Sequence, residues 1–167
     1  MADGRSREST STIRRRYSTG WSRTIVLPDV NVLIYAHRSE APGHLRYRRW
    51  LEGVLGSDQA FGLYDLVLSA FLRVVTHPRI FAVPTPVEVG LAFIDEVRSR
   101  PNRVSIRPGP RHWAIFSELC LASGAKGNIV TDAWLAAVAI ESGSEWITTD
   151  RDFARFPGLR WRHPLEG

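Results

Sequence analysis

Residues 124–152 read GAKGNIVTDAWLAAVAIESGSEWITTDRD, and the fold turns on them. The glycine-punctuated turn leads into an apolar helix with an aspartate, Asp132, at its start. A short strand over residues 146–149 follows, and Asp150 and Asp152 stand at its carboxyl end. Helix N-termini and strand C-termini share the edge where open α/β sheets bind ligands. A third aspartate belongs to the same edge. The run Ile25, Val26, Leu27 has the apolar continuity of a buried parallel strand. Pro28 ends it, because proline cannot donate to the ladder. Asp29 then sits at the N-terminus of a helix over residues 30–37, where the helix dipole favours an anion or a carboxylate holding a metal.

Outward from these anchors, apolar and polar segments alternate. Residues 44–55 form an amphipathic helix with a basic face that carries Arg46, Arg48 and Arg49. Residues 60–64 are the next strand, and LVLSAFLRVV (66–75) is an apolar helix packed on the sheet. Thr85, Pro86 and Glu88 have the spacing of a capping box, predicting a helix to about Arg100. A strand over 104–106, a helix over 111–123 and an edge strand over 159–161 complete the chain. Such alternation implies an α/β fold: a three-layer α/β/α sandwich around a mostly parallel sheet. Trp50, Trp113, Trp134 and Trp146 fall at core spacings.

With 167 residues, 44% hydrophobic and 23% charged, the chain is long enough for one domain with a real core. No apolar run approaches the roughly 18 residues of a membrane span, and no hydrophobic leader is visible, so a cytoplasmic protein is expected. Cys120 is the single cysteine, which excludes an internal disulfide; a buried small hydrophobe is its ordinary role. The formal charge of +5 is uneven: residues 1–23 hold six arginines against Asp3 and Glu8, while the remainder is almost balanced. Residues 1–23 read as a disordered or non-native basic extension, able to add salt-sensitive attraction to nucleic acid. Residues 24–167 are the folded domain.

Asp29, Asp132 and Asp150 at equivalent edges form a candidate site for a hard divalent cation, Mg²⁺ or Mn²⁺. Convergence of like charges is unfavourable without a cation to neutralise them. Such an ion would polarise a phosphodiester and allow hydrolysis without a protein nucleophile. Taken singly, each aspartate also suits an N-cap or a turn; the set of three favours the metal. The histidines (His37, His44, His77, His112, His163) lack HExxH spacing and read as surface or helix-end residues. Nucleophile elbows, Walker loops and GxGxxG are missing from the sequence.

Four segments in order, LPDVNVLIYAHR (27–38), FLRVVTHPRIF (71–81), GNIVTDAWLAAVAIESG (127–143) and TTDRDFARFPGLRWRHPL (148–165), resemble the PIN-domain ribonucleases of the VapC toxin type. The resemblance covers nearly the whole chain beyond residue 24. It implies a metal-dependent endoribonuclease, the toxin of a type II toxin–antitoxin pair, held inactive by a cognate VapB-type antitoxin. It further implies cleavage of structured RNA (tRNA or rRNA), inhibition of translation, and a homodimer.

Residue by residue, Asp29, Asp132 and Asp150 resemble the family's metal-binding and catalytic aspartates. Asn31 and Thr149 match supporting positions, and Asp152 matches the second acid of the TDxDF run. Many relatives carry a glutamate where Ala70 stands here; Asp65, at the start of that helix, is a displaced substitute. Arg46, Arg49 and Arg73 are candidates for RNA phosphates. Two rival functions remain open at this point: a non-catalytic PIN-like module that binds RNA or antitoxin, and a phosphatase or flap-type DNA nuclease on a related fold.

Overall fold

The computed structural model describes residues 24–166; the basic extension of residues 1–23 lies outside the described residues. Five parallel strands form one sheet: β1 (Val26–Pro28), β2 (Phe61–Tyr64), β3 (Arg103–Ile106), β4 (Glu145–Ile147) and β5 (Trp161–Arg162). Their order is β3-β2-β1-β4-β5, so β1 lies in the middle with β2 on one side and β4 on the other. Leu27, Phe61, Trp146 and Ile147 are wholly buried, as strands covered on both faces require.

The connections fix the layers. Helices α1 (Val30–His37) and α2 (His44–Leu55) carry the chain from β1 to β2; α3 (Asp65–Val75) and α4 (Val87–Arg98) carry it on to β3. The return to β4 runs the opposite way across the sheet through α5 (His112–Ser123) and α6 (Asn128–Ser142). Right-handed crossovers therefore put α1–α4 on one face and α5 and α6 on the other. The reversal falls between β1 and β4. Beyond the carboxyl ends of these two strands lies the crevice where α/β sheets bind ligands.

Helix α6 packs closely because its inward positions are small: Ala133, Ala136, Ala137 and Ala139 are fully buried. It ends at Gly143, whose φ of 66° suits a residue without Cβ, and the Ser144 N–H closes onto the Ala139 carbonyl at 2.9 Å. That cap swings the chain directly into β4. Among the described residues, no helix is long and apolar enough to cross a membrane.

Several expectations need correction. The strand expected at 146–149 ends at Ile147, and the edge strand starts at Trp161. Helix α6 begins at Asn128, so Asp132 stands one turn inside it and is not its cap. No capping box forms at α4: the helix starts after Pro86, without a side-chain cap. Thr85 is buried, and its hydroxyl accepts a 2.7 Å hydrogen bond from Arg38 Nη1. Trp113 is 67% exposed, because it lies on the outer face of α5. His112 is buried, its ring 4.1 Å from that of Trp134, with Nε2 3.1 Å from the Trp134 carbonyl oxygen. Cys120 is half-buried against the core.

Candidate metal and phosphodiester site

Asp29 directly follows β1 and caps α1. Its N–H donates to the Ile147 carbonyl at 2.8 Å, which ties the ends of β1 and β4 together. The carboxylate is only 4% exposed. Oδ1 accepts the Val30 N–H at 2.6 Å; Oδ2 accepts Thr148 Oγ1 at 2.6 Å and Asn31 Nδ2 at 2.9 Å. Three donors stabilise the anion, yet burial outweighs them and pushes its pKa up to about 6, with Asp132 and Asp150 adding repulsion. Asp132 is also held above the ordinary carboxylate range, by burial first and then by the charge of Asp150. The charges of Asp132, from α6, and Asp150, from the β4 exit, thus both reach Asp29 at the end of β1.

Asp150 caps a single 3-10 turn (Arg151–Arg155); its Oδ1 accepts the Asp152 N–H at 2.8 Å. Phe153 and Phe156, both buried, pin that turn to the core, with the Phe153 ring 5.4 Å from Trp146. Asn31 bridges as its position suggests. Besides Asp29 it reaches Thr148 Oγ1 at 3.1 Å, and its Oδ1 accepts the Thr149 N–H at 3.3 Å.

The supporting threonine is Thr148 and not the expected Thr149. Thr148 is fully buried; besides donating to Asp29, its hydroxyl accepts the Asp150 N–H at 3.0 Å. Thr149 offers only its backbone. The register of β4 beside β1 makes this choice, and the TTD triplet alone carries no signal for it.

The remaining candidates stand apart. Asp65 starts α3 at the same sheet edge, but its exposed carboxylate pairs with Arg98 at 3.3 Å, and its charge is not among those acting on Asp29 or Asp132. Ala70 is half-buried and supplies no acid. Asp152 is 72% exposed and holds Arg155 at 3.2 Å. Arg46, Arg49 and Arg73 are exposed and form no ion pair among the described residues. Arg73 sits in the last turn of α3, about 12 Å along the helix from the carboxylate edge at 1.5 Å per residue.

Does this donor set fit a metal? Among the described residues, no three His, Cys, Asp or Glu side chains are already gathered as a cage. Mg²⁺ and Mn²⁺ do not need one, since Mg²⁺ characteristically keeps several waters and takes one or two carboxylates. A buried anion whose pKa is raised by desolvation and by two like charges is what a hard cation relieves. The set fits.

Comparison with known proteins bears on the same residues. The PIN domain family model matches residues 26–159, which include all three aspartates. The chain belongs to the PIN-domain family. Within it, the VapC ribonucleases are close relatives. VapC ribonuclease Mb2897 of Mycobacterium bovis and Ribonuclease VapC43 of Mycobacterium tuberculosis are each 46% identical over 139 residues, 83% of this chain and 95% of theirs. Ribonuclease VapC25 of M. tuberculosis is 40% identical over 83% of this chain and 97% of its own. VapBC2 from Rickettsia felis, solved bound to a DNA fragment from their promoter, shares the PIN fold. Its TM-score is 0.62 at 21% identity, over 84% of this chain and 98% of that one. This PIN domain is therefore of the VapC type.

Proposed function

We propose that this VapC-type protein is a divalent-metal-dependent endoribonuclease whose active site is the crevice of Asp29, Asp132 and Asp150. The observation that carries the reading is the buried Asp29, destabilised as an anion at the point where β1 and β4 diverge in connection. Asp29, Asp132 and Asp150 would hold Mg²⁺ or Mn²⁺. When bound, that ion supplies Lewis-acid charge against the phosphate and acidifies a water. The chain's own part is to present three carboxylates at one edge of the sheet. Thr148 and Asn31 orient Asp29, while the pinned turn orients Asp150. In-line hydrolysis then joins a water oxygen to phosphorus and breaks the bond to one ribose oxygen, which leaves with a proton.

The same reading takes a VapB-type antitoxin as the partner that keeps the crevice closed, in line with the VapBC complexes among the fold's neighbours. It takes tRNA or rRNA as substrate, with arrest of translation as the outcome. It also takes a homodimer. Val87, Val89 and Leu91 on α4 and Trp113 and Leu121 on α5 are exposed apolar side chains of the kind that subunit contacts cover.

Purified wild type and Asp132→Asn, free of antitoxin, are incubated with total cellular RNA in Mg²⁺, Mn²⁺ or EDTA. Discrete fragments that need metal and vanish in the variant are expected. Binding of RNA without cleavage in either metal would instead support the non-catalytic module, with Ala70 in place of an acid as its cause.

A further inference from the structure

A carboxylate offers about four lone-pair positions, two on each oxygen. At Asp29 the chain itself fills three of them. Oδ2 takes both the Thr148 hydroxyl at 2.6 Å and the Asn31 amide at 2.9 Å, while Oδ1 takes the Val30 N–H at 2.6 Å. The hydroxyl cannot turn elsewhere. Thr148 Oγ1 accepts the Asp150 N–H at 3.0 Å and Asn31 Nδ2 at 3.1 Å, so its own proton is committed to Asp29. Thr148 is wholly buried, and displacing its proton from Oδ2 would strand a donor inside the protein. Asn31 is fixed in turn, its Oδ1 accepting the Thr149 N–H at 3.3 Å. Oδ2 is therefore full, and one position remains on Oδ1.

We propose that the crevice holds a single divalent ion, which Asp29 binds through Oδ1 alone. The inference rests on the metal-dependent reading above and fixes how this chain's carboxylates are shared out. Two-metal sites hold their ions about 3.5–4 Å apart, and a carboxylate spans such a pair by giving one oxygen to each. Asp29 cannot be that bridge, because its Oδ2 is taken. Asp150 is partly spent as well, since its Oδ1 accepts the Asp152 N–H at 2.8 Å. The two further acids near this edge are engaged elsewhere, Asp65 with Arg98 at 3.3 Å and Asp152 with Arg155 at 3.2 Å. One ion shared by Asp29 Oδ1, Asp132 and Asp150 uses the carboxylate oxygens that remain, and water completes the shell of Mg²⁺ or Mn²⁺.

The test counts ions directly. Tag-free wild type and Asp29→Asn are dialysed to equilibrium against Mn²⁺, and the bound metal is measured per chain. The crevice holds the difference between the two, so ions bound elsewhere cancel. Electron paramagnetic resonance of the wild type is recorded on the same samples. A difference of one ion is expected, with the hyperfine pattern of an isolated Mn²⁺. Asp132→Asn and Asp150→Asn should each weaken that ion by more than the roughly tenfold that loss of an outer-shell partner costs, because both serve the same metal. A difference of two ions overturns the proposal, as does the spectrum of an exchange-coupled pair. So does a wild-type affinity retained in Asp132→Asn or Asp150→Asn. Melting curves establish that the variants fold; should Asp29→Asn fail to, the wild-type spectrum decides alone, isolated against coupled. Folded wild type that binds no Mn²⁺ would refute the metal-dependent reading itself, and the proposal with it.

Discussion

Two buried polar side chains stand at opposite edges of the sheet and are treated very differently. Asn102 precedes β3 at the amino edge and is 2% exposed. Its neutral Nδ2 donates to three carbonyls, those of Val54, Ser57 and Gln59, at 2.8–3.2 Å. It stitches the α2–β2 loop to the start of β3 with its donors used; its buried Oδ1 has no partner among the described residues, but the group is neutral, so the cost is far below that of a buried charge. Asp29 at the carboxyl edge is equally buried and accepts three hydrogen bonds. It nevertheless carries a charge that burial disfavours, beside two further acids. One edge is built to be stable and the other holds an unfavourable charge cluster. Such clusters mark functional sites more often than structural ones.

The comparison breaks most easily at Asp29. Asp29→Asn should reduce metal-dependent RNA cleavage by on the order of 1000-fold or more, since it removes a charged ligand from the centre of the crevice. The variant should still fold. Fragment analysis of cellular RNA beside a melting curve checks both parts.

Next comes the pH dependence of the metal-free protein. The Asp29 pKa rises from 3.8 to about 6, so between those values the folded state binds more protons than the unfolded one. Stability from this group is therefore greatest below pH 3.8 and declines as pH rises toward 6. The difference above that is ~3 kcal/mol, from 1.36 kcal/mol per pKa unit. Denaturant unfolding of wild type against Asp29→Asn isolates this contribution from other titrations. The difference between them should change by that amount across pH 3–7, and saturating Mg²⁺ should flatten it.

At the other edge, Asn102→Ala should cost roughly 2–3 kcal/mol of stability, because three carbonyls lose their donor. Cleavage per folded molecule should stay at the wild-type rate. A loss of activity without a loss of stability would undo the division between the edges.

The smallest effect separates two neighbouring threonines. Thr148→Val removes the hydroxyl that donates to Asp29 and should lower cleavage about tenfold, near 1.4 kcal/mol; Thr149→Val should change it less than twofold. Initial rates in Mn²⁺ decide between them.

The fold was legible because its signals are local. Apolar runs, proline stops and glycine turns put the elements within a few residues of their observed ends. Alternation of strands and helices implied the parallel sheet. That sheet in turn implied that Asp29, Asp132 and Asp150 share an edge, although more than 100 residues separate the first from the second. What escaped depends on pairing and packing across the chain. Thr148 acquires its role only from the register of β4 beside β1. Asp150 is oriented by a 3-10 turn that buried Phe153 and Phe156 pin to the core, an anchoring no periodicity reveals. Thr85 has the residue type of a cap, but Arg38 from α1's C-terminal end claims its hydroxyl. Trp113 and His112 exchanged their expected places because the roughly 100° between neighbouring residues of α5 decides which side chain meets α6.

The most direct test of the carboxylate edge is the titration of the Asp29 carboxyl, followed by carbon NMR without and with saturating Mg²⁺. The account predicts a metal-free pKa near 6, moved well below the ordinary carboxylate value once Mg²⁺ is present. A pKa at the ordinary 3.8 that Mg²⁺ leaves unchanged would contradict it.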